Sequence, residues 1–139
     1  MDVAARAADS GDVPIGAVVY DANGGVLGEG WNTRERDGDP AGHAEINALR
    51  AAAAAAHGWN LSGCTLAVNL EPCTMCAGAI VNARIARVIF GAWDSKAGAA
   101  GSVRDVLRDS RLPHRVEVIG GVLEQECAAQ LREWFEQLR

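Results

Sequence analysis

The chain has 139 residues, 49% of them hydrophobic and 22% charged, which excludes an intrinsically disordered protein and fits one domain over residues 1–139. Its apolar runs are shorter than the stretch of about 20 residues that spans a bilayer, and the start, MDVAARAADSGD, lacks the hydrophobic segment of a secretory signal. We therefore expect a cytoplasmic protein without a membrane partner, and its net charge of −5 argues against binding a polyanion through overall charge.

The first half of the chain is predicted to contain a helix, a hairpin, a polar loop and a second helix. β-Branched residues flank Asn23-Gly24, a pair typical of tight hairpin turns. The alanine-rich run after His43 has high helix propensity, and Gly58 ends it. In chain order, the elements are a helix over 3–8, the strands PIGAVVYD and GGVLGEGW, the loop TRERDGDPAG and a helix over 44–56.

The second half alternates strands with helices. The predicted elements are a strand over 64–70, a helix over 73–83, a strand over 86–92, the loop WDSKAGAAGS, a short helix over 103–109, a strand over 114–120 and a helix over 123–138. Alternation of this kind after a hairpin predicts an α/β protein, a three-layer α/β/α sandwich with a mixed five-stranded sheet and helices on both faces.

Charge is unevenly distributed along the chain. Residues 84–115 contain seven basic and three acidic residues, so this segment carries +4 and the remainder carries −9. Such a basic segment either binds a phosphate backbone or forms an ordinary solvated surface, and charge alone does not decide between the two.

Two short segments carry residues that suit zinc. HAEINAL supplies His43, and EPCTMC supplies Cys73 and Cys76, three positions apart at the start of a predicted helix. That spacing puts both thiols on one side of the helix, and a helix N-terminus favours the thiolate form. The other two cysteines, Cys64 and Cys127, lie in apolar stretches and are expected to be buried, inert thiols.

Three protein ligands are typical of a catalytic zinc, because a structural zinc is usually closed by four. The sequence offers no obvious fourth ligand near His43, Cys73 and Cys76. Glu45, two residues after His43, is placed to carry a proton between zinc-bound water and a substrate without binding the metal. The combined pattern, H-x-E followed by P-C-x-x-C, is the known signature of zinc-dependent base deaminases.

Longer stretches resemble the bacterial tRNA-specific adenosine deaminases, within the cytidine/deoxycytidylate deaminase superfamily. The resemblance extends over almost the whole chain, and its most specific parts are LEPCTMCAGAIVNARIARVIFGA and DSKAGAAGS. It implies a cytidine-deaminase-like fold, a homodimer, one Zn²⁺ per subunit and a tRNA anticodon stem-loop as partner. The implied reaction converts the wobble adenosine, in an arginine tRNA, to inosine: zinc hydroxide attacks C6, Glu45 shuttles protons, and ammonia leaves.

The resemblance also implies a set of substrate contacts. Asn32 would hydrogen-bond the base, although an asparagine after a strand is also a common turn residue. The backbone N–H of Ala44 would bind water or base, Ile15 would line the pocket, and the loop with Asp94 and Lys96 would meet the neighbouring nucleotides.

Three positions and one helix depart from the family pattern. Asn69 and Ala83 stand where the family commonly has threonine and serine, Trp93 precedes the substrate loop, and the N-terminal helix is short.

Two other functions remain open on the residues alone. One is deamination of a free base or nucleoside such as guanine or cytosine, and the other is a noncatalytic binding module stabilised by zinc.

Overall fold

The protein is described by a computed structural model that covers residues 1–138. Within that range, the elements are α1 (Asp2–Asp9), β1 (Gly16–Tyr20), β2 (Val26–Trp31), α2 (Arg34–Asp37), α3 (Ala44–Ala56), β3 (Thr65–Leu70), α4 (Thr74–Asn82), β4 (Arg87–Ala92), β5 (Glu117–Ile119) and α5 (Glu124–Gln137). None of these helices has both the length and the hydropathy needed to cross a bilayer.

The five strands form one mixed sheet in the order β2-β1-β3-β4-β5. The β1–β2 hairpin is antiparallel, β1 is also antiparallel to β3, and β3, β4 and β5 run parallel to one another. The predicted mixed five-stranded sheet and the hairpin at its start are both confirmed.

Helices cover both faces of this sheet. On one face, α3 lies so close to β2 that a Cβ at Gly30 would come within 2.5 Å of the Ala44 carbonyl oxygen. On the other face, α1 crosses β1, where a Cβ at Gly16 would lie 2.8 Å from the Cα of Ala4. Glycine is needed at both positions because no side-chain carbon is tolerated at such distances. Helix α5 shares the face of α1, and a Cβ at Gly91 would meet the side chain of Cys127.

The main core lies between the sheet and the pair α3 and α4. Its largest fully buried apolar side chains are Phe90, Leu61, Leu66, Ile80, Ile85 and Leu107. Cys64 and Cys127 are buried free thiols, as expected. The three-layer α/β/α prediction therefore agrees with the structure.

The predicted helix over 103–109 is wrong. These residues form turns, because the Arg104 and Val106 amides bond to the carbonyls of Gly98 and Ala99 in the preceding loop. The hydrophobic spacing that suggested a helix has another cause. Leu107 lies in a turn, and its side chain is fully buried in the core.

The polar loop TRERDGDPAG holds one feature that its sequence did not predict, the single helical turn α2. Gly38 ends this turn in the left-handed conformation, with a φ of 57°. Strand β5 is shorter than its predicted range over 114–120, with three residues, Glu117–Ile119.

Candidate active site

The two segments that suit zinc meet at one end of the sheet. His43 is the residue immediately before α3, and Cys73 is the residue immediately before α4. Cys76 lies in the first turn of α4, on the same side as Cys73. The donor atoms of these three residues all lie within 4.8 Å of one another.

The distances between the donors match those of a shared zinc ion. The Nδ1 of His43 lies 3.6 Å from the Cys73 sulfur and 3.5 Å from the Cys76 sulfur. Zinc–sulfur bonds of about 2.3 Å and zinc–nitrogen bonds of about 2.0–2.1 Å, at a tetrahedral angle, separate nitrogen and sulfur by about 3.6 Å. The three side chains are therefore arranged to bind one zinc ion without rearrangement.

Within residues 1–138, no fourth histidine, cysteine or carboxylate donor joins this cluster. Three protein donors leave one tetrahedral position for a water molecule or a substrate atom, which is the arrangement of a catalytic zinc. The structure thus favours the catalytic interpretation over the structural one.

The cluster opens into a cavity of about 340 Å³. Three of the five predicted substrate contacts, Ile15, Asn32 and Ala44, lie in its wall together with His43 and Glu45. The remainder of the wall comes from residues 11–13, Arg34, Glu35, Leu70, Glu71, Cys73, the α5 residues Trp134 and Phe135, and Leu138 just after α5. Asp94 and Lys96 are not among the lining residues.

Residues 1–92 match the family described as the cytidine and deoxycytidylate deaminase zinc-binding region. The chain belongs to this family. It is accordingly a zinc-dependent hydrolytic deaminase, and the noncatalytic zinc module is not supported.

Individual relatives extend the likeness beyond the zinc-binding region. The chain is 45% identical over 139 residues to the tRNA-specific adenosine deaminase of Haemophilus influenzae, and it covers 80% of that protein. It superposes with a TM-score of 0.87 and 40% identity, over 94% of each chain, on a structure from studies of A-to-I editing by tRNA:A34 deaminases. The guanine deaminase of Nitrosomonas europaea gives a TM-score of 0.80 and 26% identity, over 95% of this chain and 78% of that one.

The two thiols of this deaminase are electrostatically distinct before metal binds. The Cys76 thiol donates to the Cys73 sulfur, and with the help of His43 it lowers the pKa of Cys73 to about 4. The pKa of Cys76 is raised, first by that hydrogen bond to Cys73 and then by burial. One thiolate is therefore formed readily, and a bound cation favours release of the second proton.

Glu45 is buried, with 4% of its surface exposed, in the first turn of α3. Burial raises the pKa of its carboxyl to about 7, because the charged form is poorly solvated there. A carboxyl with a pKa near neutrality both accepts and releases protons at the working pH of an enzyme. Such a pKa suits the proton-carrying role predicted for Glu45.

Asn32 is buried in the cavity wall and combines two roles. Its Oδ1 accepts the Arg34 amide at 3.0 Å, which is the turn interaction expected of an asparagine after a strand. Its Nδ2 donates to the Val13 carbonyl at a longer 3.4 Å. The amide keeps one lone pair and one N–H beyond these contacts, so a turn role and a base contact are compatible.

Asp94 organises its own loop. Its Oδ1 accepts the amides of Lys96 and Ala97 at 3.0 and 3.2 Å, and both Asp94 and Lys96 lie outside the cavity. Contact between this loop and the substrate would therefore be made at the cavity rim.

Glu71 is a structurally important residue that the sequence analysis did not single out. Its carboxylate is 2% exposed and accepts the amides of Asp94, Ala100 and Ser102 at 2.9–3.0 Å, together with the Ser102 hydroxyl. Burial alone raises the pKa of Glu71, but the Ser102 hydroxyl and these amides hold it below its usual value. The residue that precedes Pro72-Cys73 thus anchors the loop beside the zinc site.

Asp12 is a second such residue. It is fully buried, and its two carboxylate oxygens accept the amides of Glu35 and Arg36 at 2.7 and 3.1 Å. These are free N–H groups of the first turn of α2, so Asp12 caps a helix from a distant part of the chain. No local pattern around Asp12 reveals a partner more than 20 residues away.

Proposed function

We propose that this deaminase forms one domain over residues 1–139 and acts on the wobble adenosine in the anticodon of an arginine tRNA. It would convert this adenosine to inosine by hydrolytic deamination, with release of ammonia. The observation that carries the proposal is the open three-donor zinc cluster beside buried Glu45, in a chain 45% identical over its full length to a tRNA-specific adenosine deaminase. The cavity of about 340 Å³ would hold the target base outside its stack, as enzymes that act on a nucleobase require. The bases of an anticodon loop are already unpaired.

Each group in the cavity has a proposed task. Bound zinc supplies Lewis acidity and an activated water at neutral pH. Glu45 takes a proton from the water and gives it to N1 of adenine, and it then assists proton transfer to the departing amino group. The Ala44 N–H, in the first turn of α3, lacks an intrahelical acceptor and is available to the water or the base.

Asn32 and Ile15 hold the base. The spare N–H and lone pair of the Asn32 amide suit the edge of a purine, and Ile15 presents an apolar side chain to its face. Together they orient C6 towards the zinc cluster.

The backbone of the substrate would be held by Arg34 and by exposed basic residues outside the cavity wall. Arg34 lies at the cavity mouth, and its side chain is 61% exposed. Within the basic segment 84–115, three arginines form exposed ion pairs, with Glu117, Asp105 and Asp109. Exposed pairs of this kind are weak, so a phosphate can replace the carboxylate. Lys96, Arg104 and Arg115 take part in no ion pair recorded for residues 1–138.

Free-base deamination is the competing function, because a guanine deaminase shares the fold with 26% identity. Higher identity to the tRNA enzyme, over the full length of this chain, supports the polynucleotide substrate. A polynucleotide substrate would also give the basic segment a partner, which a neutral base would not.

Two further parts of the proposal concern assembly and location. We propose a homodimer formed through the apolar groove between α3 and α4, where Trp59 is 63% exposed and Leu49 and Leu61 form the floor. Light scattering behind size-exclusion chromatography would read twice the 14.6 kDa mass of the chain. A cytoplasmic location follows from the proposed tRNA substrate.

The deciding experiment incubates zinc-loaded protein with an arginine tRNA stem-loop that carries an ACG anticodon, and with adenosine, guanine and cytidine in parallel. We expect inosine at the wobble position and no turnover of the free compounds. Turnover of a free base with an untouched stem-loop would overturn the tRNA assignment and leave the deaminase chemistry in place.

A further inference from the structure

Asn69 is a buried polar residue at the next-to-last position of β3, and the proposed chemistry does not use it. It is 5% exposed, and its side chain bonds to three partners that are distant in sequence. The Oδ1 accepts the Gly16 amide at 2.9 Å, and the Nδ2 donates to the Pro14 carbonyl at 2.8 Å. These two contacts flank Ile15 on both sides.

The amide of Asn69 acts as an additional rung of the sheet. Backbone pairing between β1 and β3 ends at Ala17 opposite Val68 and does not extend to the neighbouring residues Gly16 and Asn69. The Asn69 side chain continues that pairing by supplying one acceptor and one donor to the segment that enters β1. The Ile15 carbonyl in turn accepts a hydrogen bond from the backbone amide of Asn32 at 3.0 Å. Two wall residues of the cavity are therefore fixed through one buried amide.

The third contact extends this arrangement to α5. The Nδ2 of Asn69 also lies 3.3 Å from Oε1 of Gln130. Trp134 is four residues further along α5, on the same side of the helix as Gln130, and it lines the cavity. Asn69 thus connects the Ile15 wall of the cavity with the α5 wall opposite.

We propose that Asn69 is a positioning residue that sets the Ile15 and α5 walls of the substrate cavity, and so the orientation of the base over the zinc cluster. The inference rests on the proposed function for the identity of the substrate only. An error of about 1 Å in substrate position lowers turnover by up to about 100-fold, so the effect of Asn69 falls on kcat.

The test compares Asn69→Leu with Asn69→Thr. Leucine has a similar size and removes all three hydrogen bonds, whereas threonine suits a strand and retains a hydroxyl whose single proton cannot bond both Pro14 and Gln130. Val88→Ala creates a cavity in the core beside β4, away from the site. It is the control for a loss of stability without a change at the cavity wall. Zinc content, thermal unfolding, and kcat and KM on the tRNA stem-loop are measured for each protein.

We expect full zinc content in every variant. We expect kcat to fall about 10-fold in Asn69→Leu and about 3-fold in Asn69→Thr, with KM changing less than kcat. Val88→Ala should lose stability and keep its kcat. A folded, zinc-loaded Asn69→Leu with wild-type kcat would overturn the inference, and if that variant does not fold, a wild-type kcat in Asn69→Thr would do the same.

A second measurement separates this inference from the proposed function. Hydrogen exchange at the Gly16 amide reports the contact to Asn69 without any substrate, and exchange should accelerate in Asn69→Leu, which has no acceptor for that amide. If the wild-type protein does not edit the stem-loop, the proposed function fails, and the exchange result decides the inference. Unchanged protection of Gly16 and an unmoved Ile15 in a crystal structure of Asn69→Leu would then overturn it.

Discussion

The zinc cluster and the loop beside it are built in contrasting ways. The cluster uses residues at the starts of α3 and α4, where the helix geometry itself places Cys73 and Cys76 side by side. The loop over residues 94–102 has no helix or strand and is anchored by the carboxylate of Glu71, the residue after β3, while Asp94 closes its first turn. The spacing of the two thiols is thus local, whereas the approach of His43, 30 and 33 residues away from them, depends on the tertiary structure as the loop does.

The largest effect should follow from breaking the cluster. Cys76→Ala removes one of three donors, and we expect zinc content to fall to near zero and deamination to disappear, because two ligands bind zinc weakly. Metal analysis and the stem-loop assay measure both. Cys64→Ala, at another buried thiol away from the site, is the matched control and should keep its zinc. Wild-type zinc content in Cys76→Ala would contradict the assigned ligand set.

Loss of the loop anchor should have a smaller and different effect. Glu71→Gln leaves one acceptor oxygen and points an NH₂ group at backbone amides, so at least one buried donor loses its partner, at about 1–3 kcal/mol of unfolding free energy. We expect unchanged zinc content and a KM for the stem-loop about 5–10-fold higher, corresponding to about 1.0–1.4 kcal/mol of binding free energy.

Steady-state kinetics and denaturant unfolding test this prediction. Glu117→Gln, an exposed carboxylate paired with Arg87 on the sheet edge, is the control. A Glu71→Gln protein that loses zinc while its loop stays ordered would show that the two regions are not separate.

Asp12→Asn should have the smallest effect. The backbone amides of Glu35 and Arg36 each donate a hydrogen bond to Asp12. In the variant, one of these amides would face an NH₂ group instead of an oxygen. We expect a loss of about 1 kcal/mol in stability, the usual value of a helix cap, and a KM about 2–3-fold higher because α2 carries Arg34 at the cavity mouth. Thermal unfolding and stem-loop kinetics measure the change, with exposed Asp9→Asn as control. Equal stability of the two variants would contradict the capping role.

The same contrast explains what the sequence could predict. His43 and Glu45 lie in one short motif and Cys73 and Cys76 in another, and the zinc-ligand chemistry that the motifs share predicts that they meet although they are 30 residues apart. The hairpin and the alternating strands and helices follow from turn residues and hydrophobic patterning. The hydrogen-bond partners of Glu71 lie 23 to 31 residues away in sequence, and those of Asn69 lie 53 to 61 residues away. A single sequence contains no local signal for contacts of that kind.

The incorrect helix over 103–109 has the same origin. Its hydrophobic spacing suits a helix, but its amides pair with the loop that Glu71 holds, and that pairing depends on the tertiary structure. The local pattern therefore predicted the three zinc donors, which the structure brings together, but not the packing of the segment over residues 94–109.

The central claim is that Glu45 moves protons in a cavity where zinc is bound by His43, Cys73 and Cys76. The most direct test is single-turnover deamination of the stem-loop by zinc-loaded Glu45→Gln, which keeps the shape of the side chain and removes its base. The matched control is Glu133→Gln on the exposed side of α5. We predict full zinc content, an unchanged fold and a rate about 100–10,000-fold lower for Glu45→Gln, with a wild-type rate for the control. A zinc-loaded Glu45→Gln protein that deaminates at the wild-type rate would contradict the account.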